Sequence, residues 1–357
     1  MTAKNPADPP ESKRRQAFGD GPCPLMGYGA RPKARKSGRS PVKPEELSTE
    51  KPYKREDEIS IMEPTAIDRY LEEKGDLLDK LLESYIPLEE THPSVIHQAM
   101  RYSLFSRSKK IRPILALAAG EAFECPEEII VPYACALELI HTHSLIHDDL
   151  PSMDNDDFRR GKPASHKIYG EGMAILAGNG LLVLAFDILS RPFCEPARQL
   201  EALNYLCRAI GTEKGLLGGQ VMDLSLQGKE FSKEDLKYVH SSKTGALIEA
   251  SVTGAAILSG VSGAERARIH SFGKKVGLAF QIIDDLLDES GSEEKMGKKA
   301  GKDRQQQKAT FPALYGIEES KVKAKELVDE SVAELEWLGD KGSTLAELAG
   351  FIAERGF

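Results

Sequence analysis

Three segments of the chain are apolar around most of a helical circumference. They are Ile129–Ile146, Met173–Leu189 and Val276–Leu287. A helix that is apolar on every side is stable where other helices cover it, so these segments predict the interior of a helix bundle. The sequence has no convincing run of alternating polar and apolar residues, which would indicate a strand. The predicted fold class is therefore all-α.

The chain divides near residue 60 by composition. With 357 residues, of which 40% are hydrophobic, it is long enough for one large core, and we expect a single all-α domain over residues 61–357. Residues 1–60 contain nine of the 20 prolines, 13 Lys and Arg against 9 Asp and Glu, and no helical apolar periodicity. Such a segment cannot bury enough apolar surface to fold, so we predict a disordered tail.

Several classes of protein are excluded by composition. The longest stretches without a charged residue have 15 residues, whereas a membrane span needs about 20, so no transmembrane segment is predicted. The five cysteines form no C-x-x-C pair, which fits a reducing compartment. No secretory signal is recognisable, and we expect a cytoplasmic protein. The net charge of −8 argues against binding to nucleic acid.

Two clusters of carboxylates follow apolar segments. They contain Asp148, Asp149 and Asp154, and Asp284, Asp285 and Asp288. Asp284 and Asp288 lie about 40° apart on a helix and share a face. Asp148 and Asp154 would lie about 240° apart on a straight helix, but Pro151 between them favours a helix end that brings Asp154 back. Carboxylates are the ligands that Mg²⁺ prefers, so the clusters indicate a metal site.

Basic residues accompany the acidic clusters. They are Lys109 and Arg112, Arg159 and Arg160, Lys243, Lys298, and Lys308. Arg binds phosphate in a bidentate manner, Lys acts as a point charge, and Mg²⁺ bridges carboxylates to phosphate oxygens. Two acidic and several basic clusters therefore suggest two diphosphate groups, one held through metal and one by cations alone.

The ordered motifs resemble those of the trans-isoprenyl diphosphate synthases, the family of farnesyl and geranylgeranyl diphosphate synthases. The resemblance covers residues 63–357. It rests on the Lys109–Pro113 run, the Asp148–Asp154 cluster followed by Arg159–Pro163, Gly218-Gly219-Gln220-x-x-Asp223, Lys243-Thr244-Gly245, Gln281-x-x-Asp284-Asp285-x-x-Asp288, and the run from Gly297 to Pro312. The resemblance implies a large orthogonal helix bundle of the isoprenoid synthase type, with a central active-site cavity. It also implies a homodimer, which is the usual assembly in the family.

The resemblance also implies roles for individual residues. The metal ligands would be Asp148, Asp154 and Asp284, supported by Asp149, Asp285 and Asp288, with two or three Mg²⁺ ions per site. Contacts to the allylic diphosphate would come from Arg159, Lys243, Thr244, Gln281, Lys298 and Lys308. Contacts to isopentenyl diphosphate would come from Lys109, Arg112, His141 and Arg160. The implied reaction joins isopentenyl diphosphate head to tail to dimethylallyl, geranyl or farnesyl diphosphate, and Asp148, Asp154, Arg159, Lys243, Thr244, Gln281 and Asp284 would carry it.

Product length would be set next to the first acidic cluster. Ser144 lies one helical turn before Asp148, and His143 lies one residue further back. In the family that these motifs resemble, a large aromatic side chain at either position forms the floor of the cavity and stops chain growth early. Here Ser144 is small and His143 is planar but smaller than Tyr. We therefore expect a C20 product, with C15 as the close alternative.

Three other functions compete with the synthase. A terpene cyclase shares the fold, but the second basic site argues for a second diphosphate substrate. A non-catalytic partner subunit would have damaged acidic clusters, and here they are intact. A His-Asp metal phosphohydrolase would use His143, His147 and Asp148, but it leaves the second acidic cluster and the ordered lysines unexplained.

Overall fold

The computed structural model describes residues 65–290 and 308–354, and helices account for most of them. In chain order the helices are α1 (Ala66–Tyr85), α2 (Ser94–Leu104), α3 (Ile111–Ala122), α4 (Glu127–Asp148), α5 (Ser165–Tyr169), α6 (Glu171–Ser190), α7 (Pro196–Ile210), α8 (Leu216–Leu226), α9 (Lys233–Val239), α10 (Ala246–Leu258), α11 (Gly263–Ser290), α12 (Phe311–Tyr315), α13 (Ile317–Ala333) and α14 (Ser343–Glu354). A π-helix, His240–Gly245, joins α9 to α10, and a 3₁₀ segment, Glu336–Gly342, precedes α14. The all-α prediction is confirmed. The predicted disordered tail lies outside the described residues.

Helix α4 forms the interior of the bundle, as its sequence predicts. The helix begins after Pro126, with Glu127 and Glu128 in its first turn, where acidic side chains favour the positive end of the helix dipole. Most of its residues are buried. The hydroxyl of Tyr133, which has no exposed surface, donates a hydrogen bond to the carbonyl of Ala250 in α10 at 2.9 Å. This bond satisfies the one polar atom of a large side chain in the core.

Two further helices complete the core around α4. In α10 every residue from Leu247 to Leu258 is buried. The Val276–Leu287 part of α11 is also largely buried, as predicted, and α11 packs between α10 and α13. The central helices are covered by neighbours on nearly all sides, so they hold the ends of α4 and α11 in fixed positions.

Helix α6 departs from the sequence prediction on one face. Its buried face packs against α4, but Ile175, Leu176 and Val183 are 42%, 52% and 67% exposed. The prediction that Met173–Leu189 is interior is therefore wrong for this face, because no described residue covers it. By length and composition alone, α4 and α6 could each span a membrane, but helices of this kind are also found in cores and interfaces.

A short hairpin follows the end of α4. Its strands, β1 (Phe158–Arg159) and β2 (Lys162–Pro163), are antiparallel, and the turn residues Arg160 and Gly161 have φ values of 54° and 76°. The hydroxyl of Tyr102 in α2 donates to the carbonyl of Pro163 at 2.8 Å and ties the hairpin to the bundle. A left-handed conformation is uncommon for Arg, so the turn at Arg160 is held by its surroundings.

A close approach between α8 and the π-helix depends on Gly219. A Cβ atom at this position would lie 2.1 Å from the backbone nitrogen of Lys243 and 2.6 Å from its Cα. Both atoms belong to backbone, so they cannot move aside without shifting the π-helix. Glycine is therefore required here for steric reasons.

The first prediction tests this packing. Gly219→Ala should destabilise the protein by the roughly 1–3 kcal/mol typical of overpacking, and should lower its melting temperature by several degrees. Gly172→Ala in α6 is the matched control, because a Cβ there meets nothing within 4 Å. Differential scanning calorimetry of the two variants is the measurement. Equal melting temperatures would contradict the steric argument.

Candidate active site

A cavity of about 320 Å³ lies where the carboxyl-terminal ends of α4 and α11 approach α8 and the π-helix. The predicted site residues that line it are Arg112, His141, Ser144, Asp148, Asp154, Arg159, Arg160, Lys243, Thr244, Gln281, Asp284, Asp285, Asp288 and Lys308. The fold thus brings together residues that are up to 196 positions apart in the chain, Arg112 and Lys308 being the extremes.

Among the described residues, three of the predicted site residues do not line this cavity. The ammonium group of Lys109 lies 4.4 Å from the centroid of the Phe351 ring in α14. Asp149 is buried behind Arg159, and the ring of His143 packs edge-on against His147 at 4.4 Å. Lys298 lies outside the described residues.

The first acidic cluster is formed by a break at the end of α4. The helix ends at Asp148, and the backbone N–H of Asp154 donates back to the carbonyl of Asp148 at 2.8 Å. This is the reversal that Pro151 predicts. Burial raises the pKa of Asp148, and the neighbouring Lys243 opposes that shift. A cation beside this carboxylate is therefore needed to favour its charged form.

The guanidinium of Arg159 is held by two carboxylates behind the cavity wall. It bonds Asp149 through Nε at 2.9 Å and through Nη2, and Nη2 also contacts Asp156 at 3.2 Å. Burial raises the pKa of Asp149 to about 6, although Arg159 opposes this shift. The geometry gives Asp149 a supporting position, since its carboxylate orients an Arg that faces the cavity.

A carboxylate absent from the predicted site residues connects two of the predicted lysines. Asp223 in α8 lies 2.6 Å from Nζ of Lys243 and 4.0 Å from Nζ of Lys308. Lys308 also contacts Asp154 at 3.2 Å. Burial lowers the pKa of Lys243, but Asp148, Asp223 and Asp154 together more than reverse this and raise it. The sequence signal for Asp223 is its place in the Gly218-Gly219-Gln220-x-x-Asp223 motif.

In the second acidic cluster, Asp285 is engaged with protein groups. Its carboxylate accepts hydrogen bonds from Nε2 of Gln281 and from the backbone N–H of Phe311, both at 2.8 Å, and lies 3.2 Å from Nε2 of His240. The oriented Gln281 amide accepts in turn from Thr244 Oγ1 at 2.5 Å. Asp285 therefore links α11, the π-helix and α12.

A group of basic residues lies on another side of the cavity. Arg112 Nη1 is 3.3 Å from Nε2 of His141, and Arg160 Nη1 donates to Ser106 Oγ at 3.1 Å. Burial lowers the pKa of His141 well below its usual value, and the charges of Arg112 and Arg160 lower it further. The imidazole is therefore neutral at pH 7, and its Nε2 can accept the hydrogen bond of Arg112. Two guanidinium groups and a neutral imidazole therefore face the same part of the cavity, an arrangement that could bind an anion.

Comparison with known proteins places this cavity in a family. Residues 93–338 match the Polyprenyl synthetase family. The heterodimeric geranylgeranyl pyrophosphate synthase large subunit 1, chloroplastic, of Arabidopsis thaliana is 44% identical over 313 residues, which is 84% of this chain and 83% of that protein. The chloroplastic geranylgeranyl pyrophosphate synthase of Capsicum annuum is 43% identical over 93% of this chain and 90% of its own length.

Solved structures show the same similarity. An FPP/GFPP synthase from Zymomonas mobilis superposes with a TM-score of 0.72 at 34% identity, covering 80% of this chain and 98% of that one. A geranyltransferase from Legionella pneumophila gives a TM-score of 0.70 at 33% identity, with coverages of 81% and 96%. The chain therefore belongs to the polyprenyl synthetase family, that is, the trans-isoprenyl diphosphate synthases. It is a prenyltransferase, and the fold and reaction class expected from its motifs are confirmed.

Proposed function

We propose that this enzyme makes geranylgeranyl diphosphate by Mg²⁺-dependent condensation of isopentenyl diphosphate with allylic diphosphates. The observation that carries the proposal is the convergence of two acidic clusters and two groups of cations on one cavity. One group, Lys243 and Lys308, lies beside the carboxylates of Asp154 and Asp223. The other, Arg112 and Arg160, accompanies His141. Two differently equipped anion sites suit two diphosphate substrates.

The donor set in the cavity fits Mg²⁺. Asp148, Asp154, Asp284 and Asp288 supply hard oxygen ligands on its wall. Within the described residues, no three metal-binding side chains form a complete site by themselves. This fits an ion that is completed by phosphate oxygens, since Mg²⁺ usually binds one or two carboxylates plus substrate. When bound, two or three Mg²⁺ ions would stabilise the negative charge that develops on the leaving diphosphate.

The residues of the allylic site would assist departure of the diphosphate. Arg159, Lys243 and Lys308 hold its oxygens and stabilise the charge that grows as the C–O bond breaks. The Thr244 hydroxyl and the Gln281 amide are oriented by their mutual hydrogen bond. Their oxygen dipoles favour the allylic cation, and the buried walls keep out water that would convert it to an alcohol.

The residues of the second site would hold the nucleophile. Arg112, His141 and Arg160 bind the diphosphate of isopentenyl diphosphate so that its double bond faces the cation. A new C–C bond forms from that double bond, and the intermediate loses a proton to the released diphosphate. Lys109 and Lys298 are proposed as further contacts to the isopentenyl and allylic diphosphates.

The proposed product length rests on Ser144. This small side chain lies on the cavity wall one turn before Asp148, where it leaves space for a growing prenyl chain. Burial lowers the pKa of His143 to about 4, so its ring is uncharged at pH 7. The relatives named as geranylgeranyl synthases support a C20 product, and the farnesyl synthase structures keep C15 as the alternative.

We propose that the enzyme is a homodimer that pairs through the exposed face of α6. The Glu171–Ser190 helix carries only two charged residues, Glu171 and Asp187, and exposes Leu176 and Val183. A self-complementary apolar face suits a two-fold interface. One relative is named as a subunit of a heterodimer, so a different partner chain is the alternative occupant.

For the location in the cell, we propose the cytoplasm. The acidic residues mixed among the bases of residues 1–60 are unusual for a transit peptide. Two of the relatives are named chloroplastic, which makes the plastid the alternative.

The second prediction tests the reaction and its metal. The protein incubated with Mg²⁺, isopentenyl diphosphate and geranyl diphosphate should form a longer prenyl diphosphate, which a cyclase, an inactive subunit or a phosphohydrolase does not make. Asp148→Ala and Asp284→Ala should each reduce kcat by at least about 10²–10³-fold, as expected for loss of an electrostatic stabiliser. Asp329→Ala, at an exposed position in α13, is the control. Near-full activity of either cavity variant would show that its cluster is wrongly assigned.

The third prediction tests product length. Ser144→Phe should shorten the product, because the ring would enter the cavity one turn before Asp148. His143→Ala should lengthen the product distribution by opening space between α4 and α6. Chromatography of the dephosphorylated products gives the chain lengths. If both variants make the parental product, the floor of the cavity lies elsewhere.

The fourth prediction tests the dimer. Leu176→Asp combined with Val183→Asp should convert the protein to monomers, since two charges would face an apolar surface in the interface. Val322→Asp in α13 is the matched control, because Val322 is an apolar residue of similar exposure, at 58%. Light scattering after size-exclusion chromatography gives the masses. A dimer that survives the double substitution would exclude this face.

A further inference from the structure

Glu138 is a buried carboxylate that the proposed mechanism does not use. It lies in α4, three residues before His141, and has no exposed surface. Neither of its carboxylate oxygens has a hydrogen-bond partner among the described residues. Burying a carboxylate without hydrogen bonds is costly, so its presence needs an electrostatic reason.

Three cations act on this carboxylate, namely Lys110 and the two arginines of the second site, Arg112 and Arg160. Nη2 of Arg160 lies 3.8 Å from Oε1 of Glu138. Burial raises the pKa of Glu138, while Arg160, Lys110 and Arg112 all oppose that rise. Lys110 is already paired with Asp79 at 2.9 Å, so Arg160 is the charge that Glu138 chiefly balances.

Arg160 depends on such support more than an ordinary surface arginine does. Its backbone is left-handed, at φ 54°, and its side chain is largely buried beside Arg112 and His141. Burial lowers the pKa of Arg160, and the Glu138 carboxylate opposes this. Among the described residues, its guanidinium also bonds Ser106 Oγ. Without the carboxylate, burial and the repulsion of Arg159 would act on the Arg160 guanidinium against the weaker effect of Asp149.

We propose that Glu138 is a positioning residue for isopentenyl diphosphate, which holds the guanidinium group of Arg160 in the cavity wall ready for the substrate. This inference rests on the proposed function of that site. Glu138 is buried and is not among the residues that line the cavity, so it acts through Arg160. The preorganisation matters because side chains that are ordered before binding lose less conformational entropy when the substrate arrives.

The sign of the effect separates this role from simple charge balance. A negative charge near a diphosphate repels it, so its removal alone should tighten the binding of isopentenyl diphosphate. If Glu138 instead holds Arg160 in place, its removal should weaken that binding. The second effect should dominate, because loss of the Arg160 contact removes bidentate bonds to the ligand, whereas the repulsion acts over a longer distance.

The test compares Glu138→Gln, which keeps the shape and removes the charge, with the wild-type enzyme. We expect KM for isopentenyl diphosphate to rise at least tenfold, while KM for the allylic diphosphate changes less than twofold. Glu138→Asp keeps the charge and should give a smaller, equally selective rise, which also serves if the Gln variant does not fold. Arg160→Gln should reproduce the selective rise, and the double variant should add little to the larger single effect.

The matched control is Glu249→Gln. Glu249 is also buried, and it bonds Tyr205 and His270 at 2.7 Å. None of these three residues lines the cavity. Its replacement should lower the melting temperature and leave both KM values within twofold. An unchanged or lower KM for isopentenyl diphosphate in Glu138→Gln, or an equal rise in both KM values, would overturn the inference. If Arg160→Gln leaves this KM unchanged, the assignment of the site itself has failed.

Discussion

Pairing of charges inside the bundle is the constraint on which the rest of the structure depends. Carboxylates and cations lie together in the cavity wall. Burial there would be unfavourable for charges of one sign alone. Lys243 is paired with Asp223, and Arg159 is paired with Asp149. Breaking a buried pair by removing one partner costs about 3–5 kcal/mol, because a buried charge is left uncompensated. The cations of the cavity wall can therefore be buried only where the fold also positions an acidic partner next to each of them.

The backbone provides this placement at a few irregular points. Helix α4, which carries the first cluster, ends at Asp148, and the chain then turns back so that the Asp154 N–H bonds the Asp148 carbonyl. As a result, the carboxylates of Asp148 and Asp154 line the same cavity. Gly219 allows α8 to approach the backbone of Lys243 and brings Asp223 within reach of its ammonium. The regular helices supply rigid supports, and the irregular points decide which side chains face one another.

The sequence predicts this site well where the chemistry repeats within one helix or motif. Helical geometry predicts that Asp284 and Asp288 share a face and that the helix breaks near Pro151. Asp284 and Asp288 both line the cavity. Pairings between distant helices do not follow from it. The contact of Lys109 with Phe351 joins parts of the chain that are far apart, and no periodicity indicates it. In the sequence, Glu138 is a single acidic residue in an apolar helix, and nothing indicates its partner. Its proximity to Arg160 is known only from the structure.

The exposed face of α6 shows the same limit and also has a consequence for the cavity. Apolar periodicity cannot distinguish a helix that its own chain covers from one with an uncovered apolar face, and this is why the pattern of Met173–Leu189 predicts an interior helix. The opposite face of α6 packs on α4, where Nε2 of His147 lies 3.2 Å from the carbonyl of Ile175. A Cβ at Gly178 would lie 2.4 Å from the same nitrogen, so the two helices cannot shift easily against each other. His147 directly precedes Asp148. A partner that covers α6 would therefore restrain the helix end that presents the first acidic cluster, and assembly and the active site would be mechanically connected.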